Sequence, residues 1–91
     1  MQIPSSFKLG RRQYSVTTVG DLPKRVKGRV YPTQGMIQLS GAYSGVAAET
    51  FWHEVTHAIL HDMGDTRWKD EKFVTEFSRR VHQVVKTAEV A

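Results

Sequence analysis

Apolar positions change their period near the middle of the chain. In the first half they fall in short runs rich in β-branched and aromatic residues. Phe7-Lys8-Leu9 and Gln13-Tyr14-Ser15-Val16-Thr17-Thr18-Val19 are two such runs, broken by Gly10 and Gly20, and they predict strands. Asp21-Leu22-Pro23 predicts a turn. Arg29-Val30-Tyr31 and Met36-Ile37-Gln38-Leu39 then flank Pro32-Thr33-Gln34-Gly35, the composition of a hairpin loop. Alternation places Ile37 and Leu39 on one face of the last strand, and Met36 and Gln38 on the other.

From residue 44 onward the period becomes helical. Ser44 predicts an N-cap, the helix runs to about Met63, and Gly64 stands where a left-handed C-cap is common. Phe51, Val55, Ala58, Ile59 and Met63 form its expected buried stripe. A second helix begins at Asp70, a good N-cap, and is expected to turn Phe73, Phe77, Val81, Val84 and Val85 inward. The fold class this implies is α+β: a small antiparallel sheet of about three strands followed by two packed helices.

Length and composition narrow the chemistry. The 91 residues make one small domain, 1–91, near the lower limit for folding without a staple. With no cysteine there are no disulfides, thiolate ligands or catalytic thiols, so a metal would have to rest on histidine and carboxylate. No apolar run approaches the roughly 18 residues of a membrane span. MQIPSSFKLGRRQYS has no apolar signal-peptide core, so the expected protein is soluble and cytoplasmic, with no membrane partner.

The net charge of +4 is unevenly spread. Lys24, Arg25, Lys27 and Arg29 form a basic run that could meet nucleic acid or an acidic partner. The competing reading is a solvated surface. Tyr14 and Tyr31 are the nearby aromatics, thin support for stacking on bases.

The histidines are concentrated on one segment, TFWHEVTHAILHDMGD. Residues four apart on a helix differ by about 40° and lie about 6 Å apart, so His53 and His57 can share one tetrahedral ion. Glu54, one position round, reaches a water on that ion better than the ion itself and can act as the general base. HExxH thus has a mechanical meaning, two ligands and a base, and at this composition it arises by chance in about one such chain in a hundred. A purely polar helix face is the weaker alternative.

One helix does not close the site, and the third ligand is expected where the chain returns after Gly64. Asp62, Asp65, Asp70, Glu71 and Glu76 are the acids available. Asp62 and Asp65 lie too far along the helix axis, whereas Asp70 and Glu71 open the second helix beside His57. His61 continues the same face, but three turns of a straight helix do not converge on one ion. It reads as an orienting or surface group. His82, Trp52 and Trp68 read as structural or pocket-wall residues.

HEVTHAILH followed by DEKFVTEFS resembles the pattern of the ImmA/IrrE-like zinc peptidases and their small phage-encoded relatives. There a helix with HExxH precedes a helix with E-x-x-A-x-x-F-A, which Glu71 to Ser78 follow, with Val74 and Ser78 at the Ala positions. The resemblance covers about Thr50 to Val81 and implies a zincin-like fold. It makes Glu71 the third zinc ligand in a gluzincin arrangement, Glu54 the base, and a peptide or protein the substrate. It also implies that the edge strand before the helix, by position Met36 to Ser40, aligns an extended substrate. Tyr31, Tyr43 and His61 are the candidates for stabilising the oxyanion. Two rivals remain: a zinc-stapled domain without catalysis, and a basic nucleic-acid or partner-binding module.

Overall fold

The computed structural model describes residues 3–20 and 22–90. Its architecture is α+β, a sheet followed by two helices. The strands are β1 (Ser6–Leu9), β2 (Arg12–Val19), β3 (Gly28–Tyr31) and β4 (Met36–Ser40), in the order β1-β2-β4-β3. The helices are α1 (Ala47–Asp62) and α2 (Glu71–Thr87).

The β3–β4 hairpin forms as its loop composition predicts, closing on the Tyr31↔Met36 pair. The predicted antiparallel sheet of about three strands needs correction, because the sheet has four strands and is mixed. β2 runs parallel to β4, from Ser15↔Met36 to Val19↔Ser40, while β1–β2 and β3–β4 are antiparallel. A hairpin is announced by its turn, but a parallel pair is joined by a long crossover with no local signature. At the predicted turn, Val26 N–H donates to the Pro23 carbonyl at 3.0 Å. Asp21 lies outside the described residues.

The core lies between one face of the sheet and α1. Tyr14, Ile37 and Leu39 meet Phe51, Val55 and Ala58, with Phe7 stacked on Tyr14 at 5.1 Å between centroids. Ile37 and Leu39 therefore share the buried face that alternation assigns them. The stripe on α1 is corrected at its end: Ile59 and Met63 are exposed, and Leu60 is buried instead.

Both ends of α1 are locally determined. A 3-10 segment, Gly41–Val46, leads into it, and its cap is Ser40, whose hydroxyl accepts from Ala42 N–H at 3.3 Å. Ser44 is not the N-cap of α1, which starts at Ala47 after Val46 with no side-chain cap. The C-terminus closes as a Schellman motif: Asp65 N–H reaches the Leu60 carbonyl at 2.9 Å and Gly64 N–H reaches that of His61 at 3.0 Å. Gly64 sits at φ 69°, where a side chain is disfavoured.

Asp70 caps α2 as expected, accepting from Phe73 N–H at 3.0 Å. The inward face of α2 is corrected, because its buried residues are Val74 and Ser78, while Phe77, Val84 and Val85 are exposed. The cause is the roll of the helix about its axis. Glu71, Thr75 and Arg79 recur every fourth residue and line a cleft against α1. Turning that stripe toward the cleft brings Val74 and Ser78 against the body of the protein and swings Phe77 and Val84 outward.

Gly28 allows α1 to lie against the edge strand. A Cβ there would meet the Thr50 methyl at 2.6 Å and the Gln38 carbonyl at 3.1 Å. Thr50 is buried and tied by its hydroxyl to the Val46 carbonyl at 3.1 Å, so it has little room to yield. Gly28→Ala is expected to destabilise the fold by about 1–3 kcal/mol through overpacking, read as a lower denaturation midpoint in urea.

Candidate metal centre

The segment between the helices sets the site. Asp65 accepts from Arg67 N–H at 2.9 Å and so caps the short 3-10 turn Thr66–Lys69. The Arg67 guanidinium bonded to it holds the Asp65 carboxyl down at about 2. This turn delivers the Trp68 carbonyl to α1, where it accepts from Nδ1–H of His57. The neutral ring then carries its lone pair on Nε2.

That nitrogen faces two other electron-rich groups. His57 Nε2 is 3.2 Å from His53 Nε2 and 2.9 Å from Glu71 Oε1, and His53 Nε2 is 3.1 Å from Glu71 Oε2. With Nδ1 of His57 engaged as a donor, its Nε2 can accept either an N–H from His53 or a bond from a shared cation. The three side chains could hold a metal ion, one ligand atom each. Their supports differ. His57 is buried, His53 half-buried, and the Glu71 carboxylate exposed in the first turn of α2. Burial holds the His53 imidazole below its usual value, against the opposing pull of Glu71, which favours the neutral form a metal needs.

Glu54 lines the same cleft and is buried. Burial, reinforced by the charge of Glu71, pushes its carboxyl up to about 7. A carboxyl that titrates near neutrality thus lines the same cleft as His53, His57 and Glu71.

The cleft has a volume of about 640 Å³ and is bounded by α1, α2 and β3. β3 is an edge strand, while β4 lies between β2 and β3 and has both sides paired. The expectation that Met36 to Ser40 forms an edge strand is therefore corrected: the edge that lines the cleft is β3, Gly28–Tyr31. None of Tyr31, Tyr43 or His61 lines the cleft. Tyr31 lies beneath the Arg29 guanidinium, Tyr43 beneath the Lys27 ammonium, and His61 packs edge-on against Trp68 at 4.9 Å.

The other acids weighed as ligands are engaged elsewhere. Asp65 and Asp70 serve as caps, Asp62 approaches Gly10, and Glu76 is exposed. No family model, curated protein or solved structure matches the chain.

Sequence reasoning missed the Trp68 carbonyl, a backbone contact that no side-chain pattern announces. It also missed Glu49 and Arg79 as cleft residues. Their signal is the spacing of four that runs Glu49-His53-His57 on α1 and Glu71-Thr75-Arg79 on α2. Among the basic run, Arg25, Lys27 and Arg29 line the cleft, whereas Tyr14 is buried in the core and unavailable to stack on a base. Among the described residues no helix is long and apolar enough to cross a membrane.

Proposed function

We propose that this chain is a minimal zinc-dependent metallopeptidase, with His53, His57 and Glu71 as ligands and Glu54 as general base. The observation that carries the reading is the cluster of His53 Nε2, His57 Nε2 and the two Glu71 carboxylate oxygens, with closest approaches of 2.9, 3.1 and 3.2 Å, and a buried carboxyl lining the same cleft. Nitrogen and oxygen ligands about 2.0–2.1 Å from a tetrahedral zinc ion stand about 3.3 Å apart, close to these separations. The absence of cysteine and the histidine–carboxylate set also suit a hydrolytic centre with one position left open.

Zinc, when bound, supplies a Lewis acid that polarises the scissile carbonyl and makes water acidic near neutral pH. The chain's own groups do the rest. Glu54 takes the proton of the attacking water and returns it to the leaving amine, work suited to an acceptor near 7. The Trp68 carbonyl holds the His57 ring in the ligating tautomer. The free side of β3 offers its backbone N–H and C=O groups to an extended peptide. The ligand set with Glu71 and the use of an edge strand are what the ImmA/IrrE-like resemblance implies, with β3 in place of Met36 to Ser40.

The test compares wild type with Glu54→Gln for zinc per chain and for cleavage of a peptide library. One zinc in each protein, with cleavage by the wild type alone, is the expected result. Equal cleavage by both removes Glu54 from the mechanism.

A further inference from the structure

The cleft is electrostatically lopsided. The start of β3 lies against the first turn of α1, where Gly28 closely approaches Thr50. At the neighbouring residue, Glu49, the Arg79 guanidinium arrives from α2 at 3.6 Å. Lys27 and Arg25 precede Gly28 and line the same cleft. Cations therefore gather at the end where α1 begins, while His53 and His57 lie one to two turns further along α1, faced by Glu71 from α2.

These cations are open to a ligand to different degrees. Arg29 donates to Gln38 Oε1 at 2.8 Å and covers Tyr31, so its side chain is engaged. Arg79 and Glu49 are both exposed and their ion pair is long, so it contributes little and exchanges readily for another carboxylate. Arg25 makes no ion pair among the described residues. It holds φ 70°, a left-handed conformation unusual for a side chain of its size. Strain of this kind is concentrated at ligand-contacting loops.

We propose that this cleft, taken as the peptidase site above, selects peptides with acidic side chains on one side of the scissile bond. Arg25 and Arg79 determine that specificity, with Lys27 reinforcing it. The four to eight residues separating Glu49 from the two histidines span about 6–12 Å along the helix. An extended peptide covers that distance in about two to four residues. The selected carboxylates thus lie two to four positions from the bond that is cut.

An acidic peptide suits these walls better than nucleic acid. Glu54 and Glu71 line the metal end and would repel a continuous phosphate backbone. The aromatics near the basic run and the cleft are already engaged: Tyr14 is buried, Tyr31 is covered by Arg29, Tyr43 by Lys27, and Trp68 by Lys69 and His61.

The experiment measures binding rather than turnover. Zinc-loaded Glu54→Gln protein is titrated with three fluorescein-labelled peptides of matched length, carrying two Glu before a central Ala-Leu, two Glu after it, or Gln at all four places. One acidic peptide is expected to bind about tenfold or more tightly than the Gln peptide at about 50 mM salt, with the gap shrinking toward about 300 mM. In Arg25→Asn/Arg79→Gln, made in the same background, the ratio falls toward one. Asn tolerates the backbone angle at residue 25, so this variant removes charge without forcing the loop to change.

The proposal is overturned if neither acidic peptide exceeds the Gln peptide, if discrimination survives the double substitution, or if a matched oligothymidylate binds more tightly than both. Failure of the peptidase reading shows separately, as wild-type zinc-loaded protein that cleaves none of the peptides while Glu54→Gln still discriminates.

Discussion

Glu54→Gln is expected to lower peptide-bond hydrolysis by about 10²–10⁴-fold while making the metal-free protein more stable above neutral pH. The first effect is the loss of the only buried carboxyl in the cleft among the described residues, and that range is typical for removing a general base. The second follows from the same burial. The carboxyl titrates near 4.5 when exposed and near 7 in the folded chain. Between those values the unfolded chain has released its proton and the folded chain retains it, so stability falls as pH rises. Below about 4.5 the wild type keeps this contribution in full, and above about 7 it is lost.

Gln is neutral throughout and escapes that loss, which amounts to about 3 kcal/mol. Thermal melts of the metal-free proteins at pH 8 should place the variant on the order of 10 °C higher, with little difference near pH 4. The depressed His53 titration acts in the opposite sense, reducing stability as pH falls below its ordinary value, but both proteins share it. Equal melting at pH 8 would mean that Glu54 is hydrated in the cleft and not a buried base.

The next largest effect is expected on removing the ion. A ligand held only by the folded state stabilises it by about 2.7 kcal/mol at a concentration 100 times its Kd. Zinc should therefore raise the melting temperature by on the order of 10 °C, and EDTA should reverse the gain. Glu71→Gln is the informative partner. The Glu71 side chain is exposed, so the substitution leaves the core intact while withdrawing one charged ligand. Its zinc-induced gain should nearly vanish while its metal-free melting stays close to that of the wild type.

His57→Ala is a poorer probe, because it also deprives the Trp68 carbonyl of its donor. The same melts separate catalysis from a structural staple. A staple gives the zinc-dependent gain with no cleavage of any peptide, and it has no use for a buried carboxyl poised near 7.

What was legible in the sequence were features written in local chemistry. The β3–β4 hairpin follows from Pro32 to Gly35, the end of α1 from Gly64, and the start of α2 from Asp70. The convergence of His53 and His57 follows from helical spacing alone. Glu71 was reached through a resemblance, and the structure places it against both histidines because Asp70 starts α2 at that point.

What was not legible depends on how elements meet. The parallel β2–β4 pair spans the intervening β3, so no turn residue encodes it. That pairing buries β4 inside the sheet and passes the edge to β3. The apolar stripe of α2 suggested a buried Phe77 and Val84, but the helix is rolled so that Glu71, Thr75 and Arg79 face the cleft. Tyr31 and Tyr43 were plausible oxyanion donors by residue type, and only their placement under Arg29 and Lys27 removes them from the cleft.

The proposed chemistry and the expected metal-dependent stability both rest on one divalent ion shared by α1 and the first turn of α2. Its direct measurement is an anomalous difference map at the zinc absorption edge, from crystals grown with excess zinc. A single strong peak is expected, bounded by Nε2 of His53, Nε2 of His57 and the Glu71 carboxylate. A well-ordered map with no peak there, or with zinc bound only at other surface groups, would contradict it.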